Sequence, residues 1–139
     1  MSVVKSLVGT WKVDTNASEN LGAYLKAVGL TGDMIEGASK LPVEMKWTAN
    51  GNQITQTMKA KGNSHKTVFT LGDEFTETLA GGREYKTTFT EEGGKLVRRQ
   101  KGTPFNSTST YQVVGGQLVE TRTCESSPPV SCVRKLNKA

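Results

Sequence analysis

The order of the sequence patterns is the feature that most constrains the fold of this 139-residue chain. A strand containing Gly9 and Trp11 comes first, and the segment 17–27 follows with apolar or small residues at steps of three and four, as in an amphipathic helix. After Pro42 every segment alternates like a strand. One small helical unit followed only by strands indicates a sheet that closes on itself beneath a helical cap.

The helical unit has its own boundary signals. The polar residues 14–16 are typical of a helix N-terminus, and Gly29 suits the C-terminal cap. A second short helix is predicted over residues 34–39, and Pro42 ends it. These signals predict a helix-turn-helix unit between the first strand, which we place from Leu7, and the remaining strands.

From Val43 onward the hydrophobic period changes to two, and Asn50-Gly51-Asn52 is the strongest hairpin signal. Many short strands joined by tight turns predict an antiparallel meander, and closure into a barrel removes its exposed edges. A barrel of eight to ten strands is wide enough to enclose a ligand. The strands after the helical unit are predicted over residues 43–48, 54–59, 66–71, 75–79, 84–89, 96–101, 107–114, 118–123 and 130–136.

Composition supports one domain over residues 1–139 with a partly polar interior, because hydrophobic residues make up only 35% and aromatics 6%. The net charge of +5 favours acidic ligands or transient contact with anionic membranes. The basic residues are scattered, which argues against a nucleic-acid stripe. No segment is long and apolar enough for a signal peptide or a membrane span, so a cytoplasmic protein is expected.

Few residues suggest catalysis or metal binding. His65 is the sole histidine, and no nucleophile elbow, paired carboxylates or phosphate loop stands out, so we expect no enzyme activity, no cofactor and no metal. Cys124 and Cys132 bracket a turn-rich segment and could face each other on paired strands. Free thiols are the default in a reducing cytosol, and a disulfide is the alternative.

Several motifs occur together in one order: Gly9-x-Trp11, Asn20-x-x-x-Tyr24-Leu25-Lys26, LGDEFTET at 71–78, GGKLV at 93–97, and Cys132-x-Arg134. Together they resemble the intracellular lipid-binding protein family, the fatty-acid- and retinoid-binding proteins. The resemblance implies an all-β fold, a ten-stranded antiparallel up-and-down barrel with a helix-turn-helix lid over an internal cavity. It also implies a ligand among fatty acids, retinoids, bile acids and related amphiphiles.

The resemblance breaks at the site that holds the ligand carboxylate. Many fatty-acid binders of the family use two arginines and a tyrosine for this task. Arg134 matches one of the arginines, whereas Leu136 stands at the tyrosine position and Tyr111 at the position of the other arginine. Of the three residues that hold the carboxylate in many family members, one, Arg134, is therefore matched in this sequence.

Strand alternation offers replacements for the missing groups. If Arg134 faces the cavity, the aligned inward residues on the neighbouring strands include Arg122, with Glu120 and Cys124, and Arg98, with Leu96 and Gln100. With Glu120 as the inward carboxylate, three arginines leave a positive surplus that attracts an acidic head group. The predicted head-group residues are Arg134, Arg122, Tyr111, Arg98 and Gln100.

Other interpretations stay open for three of these residues. Arg98 and Arg99 are adjacent, so one of the two faces outward. Arg122 could simply pair with Glu120 and have no role in ligand binding. Tyr111 could be only a hydrogen-bonded barrel residue.

The ligand chain is expected to lie between the lid and the strands. It would enter near Gly62 and Ala80-Gly81, while Trp11 and Phe75 pack at the closed end of the barrel. The predicted chain-lining residues are Leu21, Tyr24, Leu25, Met34, Val43, Met45, Met58, Ala60, Ala80 and Leu136.

The sequence therefore predicts a monomeric, non-enzymatic carrier of an amphipathic acid, with a long-chain fatty acid as the first choice. A retinoid, a bile acid or a tetrapyrrole in the same fold is the alternative. A structural role at membrane surfaces through the basic exterior is another. A nucleic-acid-binding barrel would need exposed aromatic residues on one face, and the few aromatic residues here fall at core-like positions.

Overall fold

The computed structural model describes residues 2–14, 17–27, 32, 42–60, 62–78, 84–102, 106–125 and 128–139. The helices of this part are α1, Ser2–Leu7, and α2, Leu21–Ala27. The strands are β1 Gly9–Val13, β2 Glu44–Asn50, β3 Gln53–Ala60, β4 Asn63–Thr70, β5 Phe75–Thr78, β6 Glu84–Glu92, β7 Lys95–Lys101, β8 Ser107–Val114, β9 Gln117–Cys124 and β10 Val130–Lys138.

The ten strands form one antiparallel sheet in the order β4-β3-β2-β1-β10-β9-β8-β7-β6-β5. Strands β1 and β10 pair in the middle of this order, with Trp11 opposite Lys138, and side chains of the edge strands β4 and β5 are in contact, so the sheet curves into a nearly closed barrel. This confirms the predicted ten-stranded, up-and-down architecture. Within the described residues no backbone pairing joins β4 to β5, so these two strands are the edges of the sheet. Side chains cross the gap instead, and the rings of Phe69 and Phe75 stack with centroids 6.3 Å apart.

Tight turns connect most neighbouring strands, as their sequences predict. Gly93-Gly94 joins β6 to β7, and Gly115-Gly116 joins β8 to β9. All four glycines have positive φ, from 57° to 80°. Two consecutive left-handed residues form the turn type that matches the twist of a hairpin, and glycine adopts it without steric cost. The registers of β7 and β9 against their neighbours follow from these turns.

Helix α1 was not predicted, and the prediction that β1 starts at Leu7 is wrong. Leu7 ends the helix, and β1 begins at Gly9. Leu7 is fully buried, and its carbonyl accepts a 2.8 Å hydrogen bond from Trp11 Nε1. Burying a leucine side chain contributes about 1.5–3 kcal/mol. Six residues are too few for a stable isolated helix, so packing against the barrel holds α1 in place.

Helix α2 begins at Leu21, four residues later than predicted. Glu19 instead forms an isolated antiparallel bridge with Val133 of β10. Asn20 has a φ of 58°, and its side-chain Nδ2 donates to the Ser131 carbonyl at 2.7 Å. The chain therefore adds a short extended contact to β10 before it turns into the helix. The predicted second helix, 34–39, lies outside the described residues.

The two described helices lie near opposite ends of β10. Strand β10 starts beside α2, where Asn20 contacts Ser131, and ends beside α1, where Lys138 Nζ donates to the Val8 carbonyl at 3.1 Å. Trp11 packs in the hydrophobic cluster next to α1 as predicted, and Phe75 packs against the same cluster. The barrel therefore has a packed end at α1 and a second end that α2 covers from β9 and β10.

Candidate functional site

Charged and polar side chains line the inner face of β7 to β10, although this face also carries much of the core. Arg98 and Gln100 of β7 are buried, and so are Glu120 of β9 and Arg134 of β10, whereas Arg122 is half-buried. The register places Arg134 opposite Glu120, and Arg122 opposite Cys132 on one side and Ser109 on the other. Alternation thus correctly predicted which faces of these strands point inward.

Arg98 is bound to Glu77, a carboxylate that the sequence interpretation missed. The Arg98 guanidinium donates to Glu77 Oε2. Gln100 Nε2 and Thr87 Oγ1 each donate to Glu77 Oε1 at 2.9 Å, and Thr67 Oγ1 donates to Oε2 at 3.4 Å. Four donors therefore compensate the Glu77 charge, and Gln100 and Arg98 are already engaged in this network. The sequence predicted Glu120 as the inward carboxylate, and this prediction is corrected here because Glu77 also points inward.

A sequence signal for Glu77 existed. Phe75 was placed inside the barrel, and Glu77 lies two residues further along the same strand, so it shares that face. Arg99, in contrast, points outward and forms an exposed ion pair with Glu92, including a 3.0 Å bond from Arg99 Nη2 to Glu92 Oε1. The choice of Arg98 as the inward arginine is confirmed.

Arg134 is bound to Glu120. The Arg134 Nε donates to Glu120 Oε1 at 2.6 Å, and Nη2 lies 2.6 Å from the same oxygen. Burial opposes ionisation of Glu120, but the guanidinium groups of Arg134 and Arg122 outweigh it and lower the pKa of the carboxyl. Glu120 therefore stays charged and holds Arg134, the residue that matched the family's carboxylate-binding arginine.

Arg122 differs from the two other inner arginines. In the part of the chain that the structure describes, its guanidinium donates no hydrogen bond to a carboxylate. Its Cζ lies over the Tyr24 ring, 5.2 Å from the centroid. Burial works against its charge, but the nearby Glu120 carboxylate raises the pKa of Arg122 well above its usual range. Arg122 is therefore a charged group on the inner face whose guanidinium donates to no carboxylate of the described residues.

Tyr111 packs in the interior of the barrel. Its ring meets the Trp47 ring edge-on from another part of the barrel wall, with centroids 5.1 Å apart, and both residues are buried. Burial, reinforced by the charge of Glu120, raises the pKa of the Tyr111 hydroxyl. Both residues belong to the buried hydrophobic cluster, so Tyr111 is a packing residue of the core.

The predicted chain-lining residues fall into three groups. Leu21, Tyr24 and Leu25 of α2 pack with Cys124 and Cys132 beneath the helix. Met45, Met58 and Leu136 belong to, or pack against, the cluster at the α1 end. Met34 and Ala80 lie outside the described residues, and Val43 and Ala60 are described next.

A cavity of about 650 Å³ opens at the rim of the barrel, where β1 to β4 meet. This volume is within the range of small-molecule sites. Val43 and Ala60 line it with Val13 and Gly62, and Ala80-Gly81, the other part of the predicted opening, lies outside the described residues. Its lining residues are Lys12, Val13, Pro42, Val43, Glu44, Lys59, Ala60, Gly62 and Ser64.

Among the described residues, the cysteines and the histidine form no second site. Cys124 and Cys132 are free and buried, and burial raises the pKa of the Cys132 thiol. His65 is exposed on β4, opposite Met58. Among the described residues no three His, Cys, Asp or Glu side chains are grouped as metal ligands. Neither described helix has the length and apolar character needed to cross a bilayer.

A nearly closed barrel that a helix covers at one end, with charged and polar side chains on its inner face, is a fold typical of proteins that enclose small ligands. The comparisons with known proteins give the family. Residues 7–135 match the profile described as the lipocalin / cytosolic fatty-acid binding protein family. The chain belongs to this family, as its motifs indicated.

Individual relatives agree in length and fold. Fatty acid-binding protein 1 of Fasciola gigantica is 33% identical over 129 residues, which is 92% of this chain and 96% of that protein. The solved structure of the REP1-NXSQ fatty acid transporter has a TM-score of 0.86 at 27% identity and covers 97% of each chain. The fluorescent protein UnaG has a TM-score of 0.84 at 29% identity, with 98% of this chain and 99% of that one covered.

Proposed function

We propose that the protein is a non-enzymatic, cytoplasmic carrier of an amphipathic acid, and that a long-chain fatty acid is its ligand. This proposal rests on the environment of the Arg122 guanidinium. Arg98 and Arg134 each donate to a carboxylate, Glu77 and Glu120, whereas among the described residues the Arg122 guanidinium donates to none. A monoanionic head group supplies the missing partner.

The proposed binding mode combines a polar head and an apolar tail. The carboxylate binds the edge of Arg122, where a planar fork of donors fits two carboxylate oxygens. The tail extends below α2 toward Val43 and Ala60 at the rim cavity. Each buried methylene contributes about 0.8 kcal/mol, so the tail provides most of the affinity and Arg122 provides the preference for an acid.

Titration with oleate and with oleyl alcohol tests this function, with displacement of a fluorescent fatty acid as the signal. The wild-type protein should bind oleate about one to one and more tightly than the alcohol. A charge-assisted hydrogen bond contributes about 1.5–3 kcal/mol, so Arg122→Met should weaken oleate binding roughly tenfold to a hundredfold and leave the alcohol unchanged. Arg99→Met, which removes an arginine from the outer surface, is the matched control and should change neither affinity.

Two results contradict the proposal. Failure of fatty acids of several chain lengths to displace the probe excludes the fatty acid as ligand. Equal losses for oleate and oleyl alcohol in Arg122→Met mean that Arg122 supports the fold and does not hold the head group.

We also propose that the monomeric carrier makes transient contact with anionic membranes through the outer face of β1 to β4. This face carries the exposed lysines Lys12, Lys46, Lys59 and Lys66, and Glu44 is the carboxylate among its described residues. Lys12, Lys59 and Glu44 also line the rim cavity. Transfer of a fluorescent fatty acid to vesicles should be faster with anionic than with neutral lipid, and Lys46→Glu should remove the difference. Equal rates for both lipids contradict membrane contact.

A further inference from the structure

Tyr24 connects helix α2 to the head-group site. The tyrosine is buried at 3% exposure, and its ring lies under the Arg122 guanidinium at 5.2 Å. Its hydroxyl lies 3.5 Å from Ser107 Oγ on β8. The start of α2 is attached to β10 by paired backbone hydrogen bonds between Glu19 and Val133, of 2.8 and 2.9 Å. The helix therefore has a fixed start and a ring that reaches the inner arginine.

An aromatic ring and a carboxylate affect a guanidinium differently. A carboxylate partner, such as Glu120 for Arg134, uses the N–H donors at the edge of the group. A ring that covers the face of the group is attracted to its charge and leaves those donors free. Among the described residues, Arg122 is the inner arginine that contacts helix α2, and this contact is made through the aromatic ring of Tyr24.

We propose that Tyr24 is a positioning residue for Arg122: it holds the guanidinium with its donors open for a carboxylate and thereby couples helix α2 to the charge of the bound ligand. This inference rests on the proposed function. Because coupling between two sites is reciprocal, an acidic ligand that orders Arg122 also strengthens the attachment of α2. An uncharged ligand of the same length fills the barrel without this effect.

Two substitutions separate the ring from the hydroxyl. Tyr24→Leu removes the ring, and Tyr24→Phe keeps it while removing the contact with Ser107. The ratio of the oleate affinity to the oleyl alcohol affinity should fall roughly threefold to thirtyfold in Tyr24→Leu, the range expected for losing a cation–π contact. It should stay at the wild-type value in Tyr24→Phe. A purely structural role for Tyr24 would lower both affinities and leave their ratio unchanged, which overturns the inference, as does an equal fall in Tyr24→Phe.

A measurement on the wild-type protein keeps the inference testable if Tyr24→Leu does not fold. Hydrogen exchange of the α2 amides, residues 21–27, should be slower with oleate than with oleyl alcohol when both ligands are saturating. Equal protection by the two ligands overturns the coupling even where oleate binds more tightly. Equal affinity of the wild-type protein for oleate and the alcohol contradicts the proposed function itself, so the two failures are distinguishable.

Discussion

Replacing Arg134 by methionine tests whether this residue serves the fold or the ligand. Arg134 and Glu120 are both buried, at 8% and 2% exposure, and the substitution leaves the Glu120 carboxylate without the donor that lies at 2.6 Å. Breaking a buried ion pair from one side costs about 3–5 kcal/mol. Arg122 also attracts Glu120, so we expect a loss of stability at the lower end of this range, about 3 kcal/mol. For a chain of this length such a loss lowers the Tm by about 10 °C.

The double variant Arg134→Met/Glu120→Met provides the control. It removes both charges, and replacing a buried pair by apolar side chains is often neutral or stabilising. Urea unfolding of the wild type, both single variants and the double variant gives the coupling free energy. The double variant should recover most of the lost stability and should keep the preference for oleate over oleyl alcohol, because Arg122 remains free. Loss of that preference in a stable double variant would identify Arg134 as the anchor and refute the assignment to Arg122.

Three further predictions concern acid stability, the thiols and the α1 end. Because the folded state lowers the pKa of Glu120, this carboxyl contributes stability above its unfolded pKa of about 4.3, and the contribution is lost as the pH falls through the lower folded value. Between pH 6 and pH 3 the free energy of unfolding in urea should therefore fall less for Glu120→Gln than for the wild type. An equal fall contradicts the contribution of Glu120 to acid stability. Cys124 and Cys132 should react slowly with a thiol reagent in the folded protein and fully after unfolding without reductant; fewer than two thiols would indicate a disulfide. Gly9 has a φ of 132°, and an added Cβ would lie 2.2 Å from Lys138 Nζ, so Gly9→Ala should cost about 1–3 kcal/mol. Adding Lys138→Ala should recover only part of the lost free energy of unfolding, because the backbone strain at residue 9 remains. Full recovery would show that the steric clash alone causes the loss.

The strands could be predicted from the sequence because a period of two assigns every residue to one face of the sheet. Arg98, Glu120 and Arg134 were placed inside on this basis, and all three are buried. Glu77 follows from the same rule applied to β5. Alternation therefore predicts which residues enter the barrel, even for costly charged side chains.

Alternation does not predict which inner residues become partners. Glu120 binds Arg134 because the two lie directly opposite in the register of β9 and β10. The segment between these strands is longer than a two-residue turn, so its sequence does not set that register in advance. The contact between Arg98 and Glu77 joins β7 to β5, strands that are not neighbours in the sheet. Such contacts depend on the curvature of the whole barrel.

The helix boundaries were missed for a related reason. Helix α1 has only six residues, and packing of Val4 and Leu7 stabilises it rather than local propensity. Residues 17–20 have helical spacing, but Glu19 bridges to Val133 of β10 instead. In both places a tertiary contact outweighs the local pattern.

A crystal structure of the protein with oleate tests the central claim most directly. The carboxylate should lie within hydrogen-bond distance of the Arg122 guanidinium and beside the Tyr24 ring, with the Arg134–Glu120 and Arg98–Glu77 pairs still formed. A carboxylate bound to Arg134 with Glu120 displaced, or an oleate molecule outside the barrel, would contradict the account.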